Sequence, residues 1–95
     1  MMSAVWKYTL KATSSQIVEM PAGAKVLYAR EQWREVCVWA LVDVDAPAVQ
    51  RVFWVYGTGQ DIYGDKPTNA KYVGSAHLHG GALVFHVFDL GEVPT

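Results

Sequence analysis

Charge is scarce in this chain of 95 residues: 18% are Asp, Glu, Lys or Arg, and the net charge is −1. A protein that neutralises many phosphates needs a basic face, so duplex DNA or RNA is not expected as a partner. Cysteine is scarcer still. The one thiol, Cys37, has no second thiol to bridge to, and its place in the apolar run Val36–Leu41 marks it as a buried, inert side chain in a reducing compartment. No apolar run approaches the roughly 20 residues of a membrane-spanning helix, and the opening MMSAVWKYTLK has no basic segment leading into a long apolar one. The expectation is a cytoplasmic protein with no membrane partner.

Helical periodicity is missing too. No segment keeps apolar residues at i, i+3, i+4 and i+7 beyond a turn, whereas alternation with period two runs through most of the chain. In VWKYTLK, Trp6, Tyr8 and Leu10 point one way and Lys7, Thr9 and Lys11 the other. SSQIVEM follows and closes at Pro21-Ala22-Gly23, a turn in which Gly23 takes positive φ. AKVLYAREQW ends in a hairpin bend between Arg30 and Glu35. VCVWALVDV is apolar on both faces, as a covered central strand is, and Asp43, Asp45 and Pro47 stop it. QRVFWVYG, KYVGSAHL and ALVFHVFDL complete about seven strands. With an apolar share of 52%, residues 1–95 are expected to form one all-β domain, an antiparallel β-sandwich or a small, partly open barrel.

The chain's three histidines all lie within HLHGGALVFHVF, His77 to Phe88. A two-residue turn at Gly80-Gly81 would pair His79 with Ala82, His77 with Val84 and Ser75 with His86. All three imidazoles then share a face with Ser75, Ala82, Val84 and Phe88, while Tyr72, Ala76, Leu78, Leu83, Phe85 and Val87 form the core face. An odd-length loop would send His86 to the other side. H-x-H with a third histidine nearby is a metal pattern, but His77 and His86 are diagonal across the pair, no glutamate lies in either strand, and Asp89 points to the core. Ser75 opposite His86 gives a nucleophile and a base with no element to build an oxyanion hole. Neither a metal, nor a cofactor, nor catalysis is therefore expected. The histidines are read as an outer surface or ligand wall, where imidazole donates, accepts or stacks.

Residues Gly57 to Ala70, GTGQDIYGDKPTNA, form the one long loop, with three glycines. Its start, Tyr56, Gly57, Thr58, Gly59 and Gln60, is a candidate phosphate cradle because glycine lets backbone N–H groups approach an anion. No helix follows, and the nearest lysine is Lys66, so a plain turn competes with that role. Asp43 with Asp45, and Asp61 with Asp65, are paired carboxylates of the kind that usually mark solvated strand ends and loops. Arg30, Arg34 and Arg51 are the only arginines and any of them could meet an anionic ligand bidentately; Arg51 leads because it starts the strand that delivers the glycine loop. Twelve aromatic residues, four of them tryptophan, form a surplus suited to a ligand or a second subunit.

WKY near the start, MPAGAKVL (Met20 to Leu27), WALVD (Trp39 to Asp43), VYGTG (Val55 to Gly59), YVGS (Tyr72 to Ser75) and GGALVFHVFDL (Gly80 to Leu90) span nearly the whole chain. In these blocks it resembles a family of small, largely uncharacterised proteins of bacteriophages and their bacterial hosts. The resemblance carries no catalytic motif; it implies a small accessory binder in the host cytoplasm. The resulting expectation is a non-enzymatic homo-oligomer that sequesters a small nucleotide-like ligand of host defence signalling. Its ligand residues would be Arg51, Tyr56, Gly57, Thr58, Gly59, Gln60, His77, His79 and His86. The alternative is a protein–protein interaction module that inhibits a host protein or serves a virion.

Overall fold

A computed structural model describes residues 2–64 and 69–94 of the chain. The alternating segments become strands: β1 (Ser3–Leu10), β2 (Ser15–Pro21), β3 (Lys25–Gln32), β4 (Glu35–Asp43), β5 (Ala48–Gly57), β6 (Lys71–Leu78) and β7 (Leu83–Glu92). The only helical piece among the described residues is a short 3-10 turn at His79–Gly81. The strands form one sheet in the order β1-β4-β3-β6-β7-β5-β2. Every neighbouring pair is antiparallel except β3 and β6, which are parallel and meet at a single rung, Ala29 with Gly74. The all-β expectation holds, with the barrel form realised and the purely antiparallel pairing corrected to a mixed sheet nearly closed into a barrel.

Chain connectivity requires the sheet to curl. β1 and β2 stand at opposite ends of the order, yet only residues 11–14 join them. That link reaches at most about 18 Å, whereas seven flat strands would hold their outer members roughly 29 Å apart. Three single-residue bulges supply bend and twist: Leu27 on β3, Val73 on β6 and Leu90 on β7 are each skipped by the partner strand's register. The barrel is flattened, with Cα extents of 42 × 32 × 16 Å. Its thin axis suits two walls about 10 Å apart.

The inner face is the core. On β4 the even positions Val36, Val38, Ala40 and Val42 are buried, and they meet Leu10, Val26, Ala29, Phe53, Val55, Ala76 and Val87 from the other strands. β-Branched side chains fit a pleated surface of this kind, and each large one buried contributes about 1.5–3 kcal/mol. Cys37 belongs by register to the outer face but is covered, with Thr9 Oγ1 3.9 Å from its Sγ. Gly74 is obligatory at the parallel rung: its φ is +143°, and a Cβ there would lie 2.4 Å from the Ala29 carbonyl oxygen. β3 and β6 can approach only because that position has no side chain.

Asp43 caps the end of its strand rather than joining Asp45 in a site, its Oδ1 accepting the Asp45 N–H at 3.0 Å. The β3–β4 hairpin bends where expected, through Trp33 and Arg34, both with positive φ (55° and 65°). That is a type I′ turn, which ordinarily takes Asn-Gly.

A cleft and an aromatic row on the outer face

The β6–β7 register matches the even-length expectation: Leu78 faces Leu83, His77 faces Val84 and Ser75 faces His86. The turn holds four residues rather than two. His79 leaves the strand with φ 51°, and its carbonyl accepts the Ala82 N–H at 3.2 Å. His77 and His86 therefore share the outer face, while His79 sits on the turn above them. Tyr72 moves from the expected core face to the outer one, because the Val73 bulge shifts the pairing to Tyr72 with Phe88 and Gly74 with Val87.

His86 is held at both ring nitrogens. Nε2 lies 2.7 Å from the Thr58 hydroxyl and Nδ1 2.9 Å from the Tyr72 hydroxyl, so the ring ties the start of the glycine loop to β6. Ser75 contacts His77 instead, Oγ to Nε2 at 3.2 Å, so the cross-strand serine and histidine form no dyad. Among the described residues no three His, Cys, Asp or Glu side chains converge.

The glycine loop folds on itself. The Gly57 N–H donates to Gln60 Oε1 at 2.9 Å, the Gln60 N–H to the Gly57 carbonyl at 3.0 Å, and the Thr58 N–H to the Val84 carbonyl at 3.1 Å. Three of the N–H groups expected to cradle a phosphate are thus engaged internally; Gly59 has φ 81° and open space around it. Asp65 and Lys66 lie outside the described residues.

Arg51 stands apart from all of these, on the inner face. Its Nε and Nη2 donate to both Asp89 oxygens at 3.0 and 2.8 Å, and Nη1 donates to the Ala24 carbonyl at 2.7 Å. The pair is nearly buried, with side-chain exposures of 13% and 7%. Its guanidinium is committed to joining β5, β7 and the turn before β3. Removing one partner of such a buried pair costs about 3–5 kcal/mol.

Arg30 and Arg34, rather than Arg51, lie beside His77. Past the Ala29–Gly74 rung β3 and β6 pair no further, and the gap between them opens into a cleft. Its larger chamber, about 540 Å³, is lined by Glu31, Arg34, His77, Leu78, His79 and Gly80. A second, about 230 Å³, is lined by Arg30, Glu31, Ser75 and His77. The Glu31 carboxylate accepts the Arg34 N–H at 2.6 Å and so helps set the strained turn. Among the described residues neither Arg30 nor Arg34 has a carboxylate within 4.0 Å.

Beside the cleft, five adjacent strands each contribute an aromatic ring to the outer face. Trp39 on β4 pairs with Tyr28 on β3; Tyr28 and Tyr72 flank the parallel rung; Tyr72 pairs with Phe88, and Phe88 with Trp54 on β5. Tyr28 and Trp39 stack with centroids 4.9 Å apart, and Tyr72 meets Phe88 edge to face at 5.3 Å. Tyr56 stands on the next rung, opposite His86, with its ring edge-on to Trp54. Tyr28 and Tyr72 keep 43% and 51% of their surface exposed.

A family model matches residues 1–94, and its description is Domain of unknown function (DUF7352). No curated protein and no solved structure matches the chain.

Proposed function

The chain belongs to the DUF7352 family, a domain family of unknown function, and from that premise we propose that it is a non-enzymatic binding module that holds a small nucleotide-like ligand on its outer face. The observation that carries this reading is a pair of cavities that share Glu31 and His77, one adding Arg34 and His79 and the other Arg30, with Tyr28 and Tyr72 exposed beyond the parallel rung. Guanidinium groups take phosphate bidentately, and imidazole donates to it. Tyr28 and Tyr72, next to the parallel rung, stack on the base. A chamber of about 540 Å³ is within the range of small-ligand sites. The ligand's origin in host defence signalling, its sequestration in a host cytoplasm and the phage-accessory role belong to the same proposal and draw support from the resemblance in the sequence. No helix of the described residues is long and apolar enough to cross a membrane.

The test is calorimetry and thermal shift with a panel of mononucleotides and cyclic dinucleotides. A cognate ligand at 100 times its Kd stabilises the fold by about 2.7 kcal/mol. Arg34→Gln should weaken it about tenfold, the scale of one charge-assisted hydrogen bond. If no nucleotide binds or raises the melting temperature, the reading is abandoned.

A second reading, a protein–protein interaction module, is favoured by one observation. Val5 and Leu41 pair on the outer face of the edge strand with exposures of 55% and 41%. Co-purification of a host protein that Val5→Lys abolishes, with nucleotide binding absent, would replace the first reading with this one.

A further inference from the structure

The aromatic row is longer than one nucleotide. It runs from Trp39 through Tyr28, Tyr72 and Phe88 to Trp54, across β4, β3, β6, β7 and β5. At about 4.8 Å between strands it follows roughly 19 Å of arc around the curled sheet. A single base covers one or two of those rings, and none of the five lines the cleft.

Charge on this face favours a polyanion over a second apolar sheet. Lys7 stands opposite Trp39 in the aromatic rung, Arg30 stands one rung below and Lys25 one above. The residues paired in the aromatic rung and in the rung of Thr9, Cys37, Arg30, Ser75, His86 and Tyr56 include no carboxylate. The chain's net charge of −1 is therefore unevenly distributed, with acids kept off the ring row.

We infer that the outer face binds a short single strand of nucleic acid, about four nucleotides long, whose bases stack along the row while Lys7, Lys25 and Arg30 take its phosphates. Rings accept any base because every base has a π-face, so the strand is recognised with little sequence preference. A duplex hides its base faces and binds more weakly. This inference rests on the nucleotide reading above and extends its ligand from one nucleotide to several.

The experiment titrates the full chain with thymidine monophosphate and with oligothymidylates of four and eight nucleotides. Tryptophan fluorescence follows binding, and its difference between the wild type and Trp54→Leu reports stacking on Trp54. Affinity should rise at least a hundredfold from one nucleotide to four and little from four to eight. Trp54→Leu should lose about tenfold on the four-mer, the scale of one stacked base, and leave the mononucleotide unaffected. Lys7 is exposed and its side chain's one hydrogen bond among the described residues goes to Gln32 Oε1 at 2.7 Å, so Lys7→Gln keeps the fold. It should lower the salt dependence of the four-mer, whose log–log slope is about −2 for three phosphate contacts, by about 0.7.

Mononucleotide affinity that does not grow with length overturns this inference and leaves the small-ligand reading standing. Absence of binding at any length overturns both. Tighter binding of a duplex of equal length also overturns it, as does a stable dimer whose tryptophans are shielded and which takes no oligonucleotide, for then a second copy covers the row.

Discussion

Tyr8 carries the one buried side-chain polar atom among the described residues that has no hydrogen-bond partner, its hydroxyl. The ring sits on the inner face opposite Val38, where its apolar body belongs to the core and its oxygen does not. Burial pushes the phenol above its ordinary value. Above about pH 10 the unfolded chain ionises this group while the native one keeps its proton. The unfolded state then binds fewer protons, so stability falls as pH rises past that point. Tyr8→Phe removes the unpartnered oxygen and should raise stability by about 1 kcal/mol near neutral pH, with a larger advantage at pH 11. Urea melts at the two pH values check it; equal midpoints would mean that the hydroxyl is hydrated. Period two in VWKYTLK puts Tyr8 on the face of Trp6 and Leu10, but alternation describes a side chain's direction, not the partner at its tip. The same holds for Arg51: its place in a strand was legible, and its commitment to Asp89 from another strand was not.

At the scale of elements, strands and local turns were readable because each depends on neighbours in sequence. The pair sum that joins Ser75 to His86 and the positive φ of Gly23 (77°) both follow from local turn chemistry. Bulges are different. One skipped residue, Val73, moves Tyr72 to the other face, and no alternation of apolar side chains marks it in KYVGSAHL. The turn at Trp33 and Arg34 departs from local preference in an informative way. Two non-glycine residues in the left-handed region hold Arg34 over the cleft and leave Trp33 81% exposed, a cost that a purely structural turn would avoid. Replacing the pair with Asn-Gly should raise stability by about 1 kcal/mol, since that dipeptide adopts the type I′ turn without strain. The same variant should bind nucleotide about tenfold more weakly through loss of the arginine. A stability gain with unchanged affinity would assign the turn no part in the site.

At the scale of the molecule, the parallel contact between β3 and β6 makes the cleft, and it joins segments more than forty residues apart. Nothing in REQWRE or SAHLH announces that they lie side by side, so the sequence alone cannot single out Arg30 and Arg34 from Arg51. Curling the sheet also brings its two end strands, β1 and β2, toward one another without pairing them. An incompletely closed barrel keeps edge backbone groups available to another chain. β1 adds to this edge an exposed apolar pair, Val5 with Leu41, and Trp6 at 41% exposure. Val5 and Leu41 lie on the outer face one rung from Trp39, and Trp6 lies on the inner face opposite Ala40, so two copies that meet at this edge leave Tyr72 and Phe88 uncovered. The expected state is a homo-oligomer, a dimer as the simplest closed form, with about twice the 10.5 kDa chain mass by light scattering at micromolar concentration. Val5→Lys places a charge in the middle of that edge and should yield monomers whose nucleotide affinity is unchanged. A wild-type chain that scatters as a monomer would count against the edge contact. A Val5→Lys monomer that also loses nucleotide would mean that the ligand site is completed by the second copy.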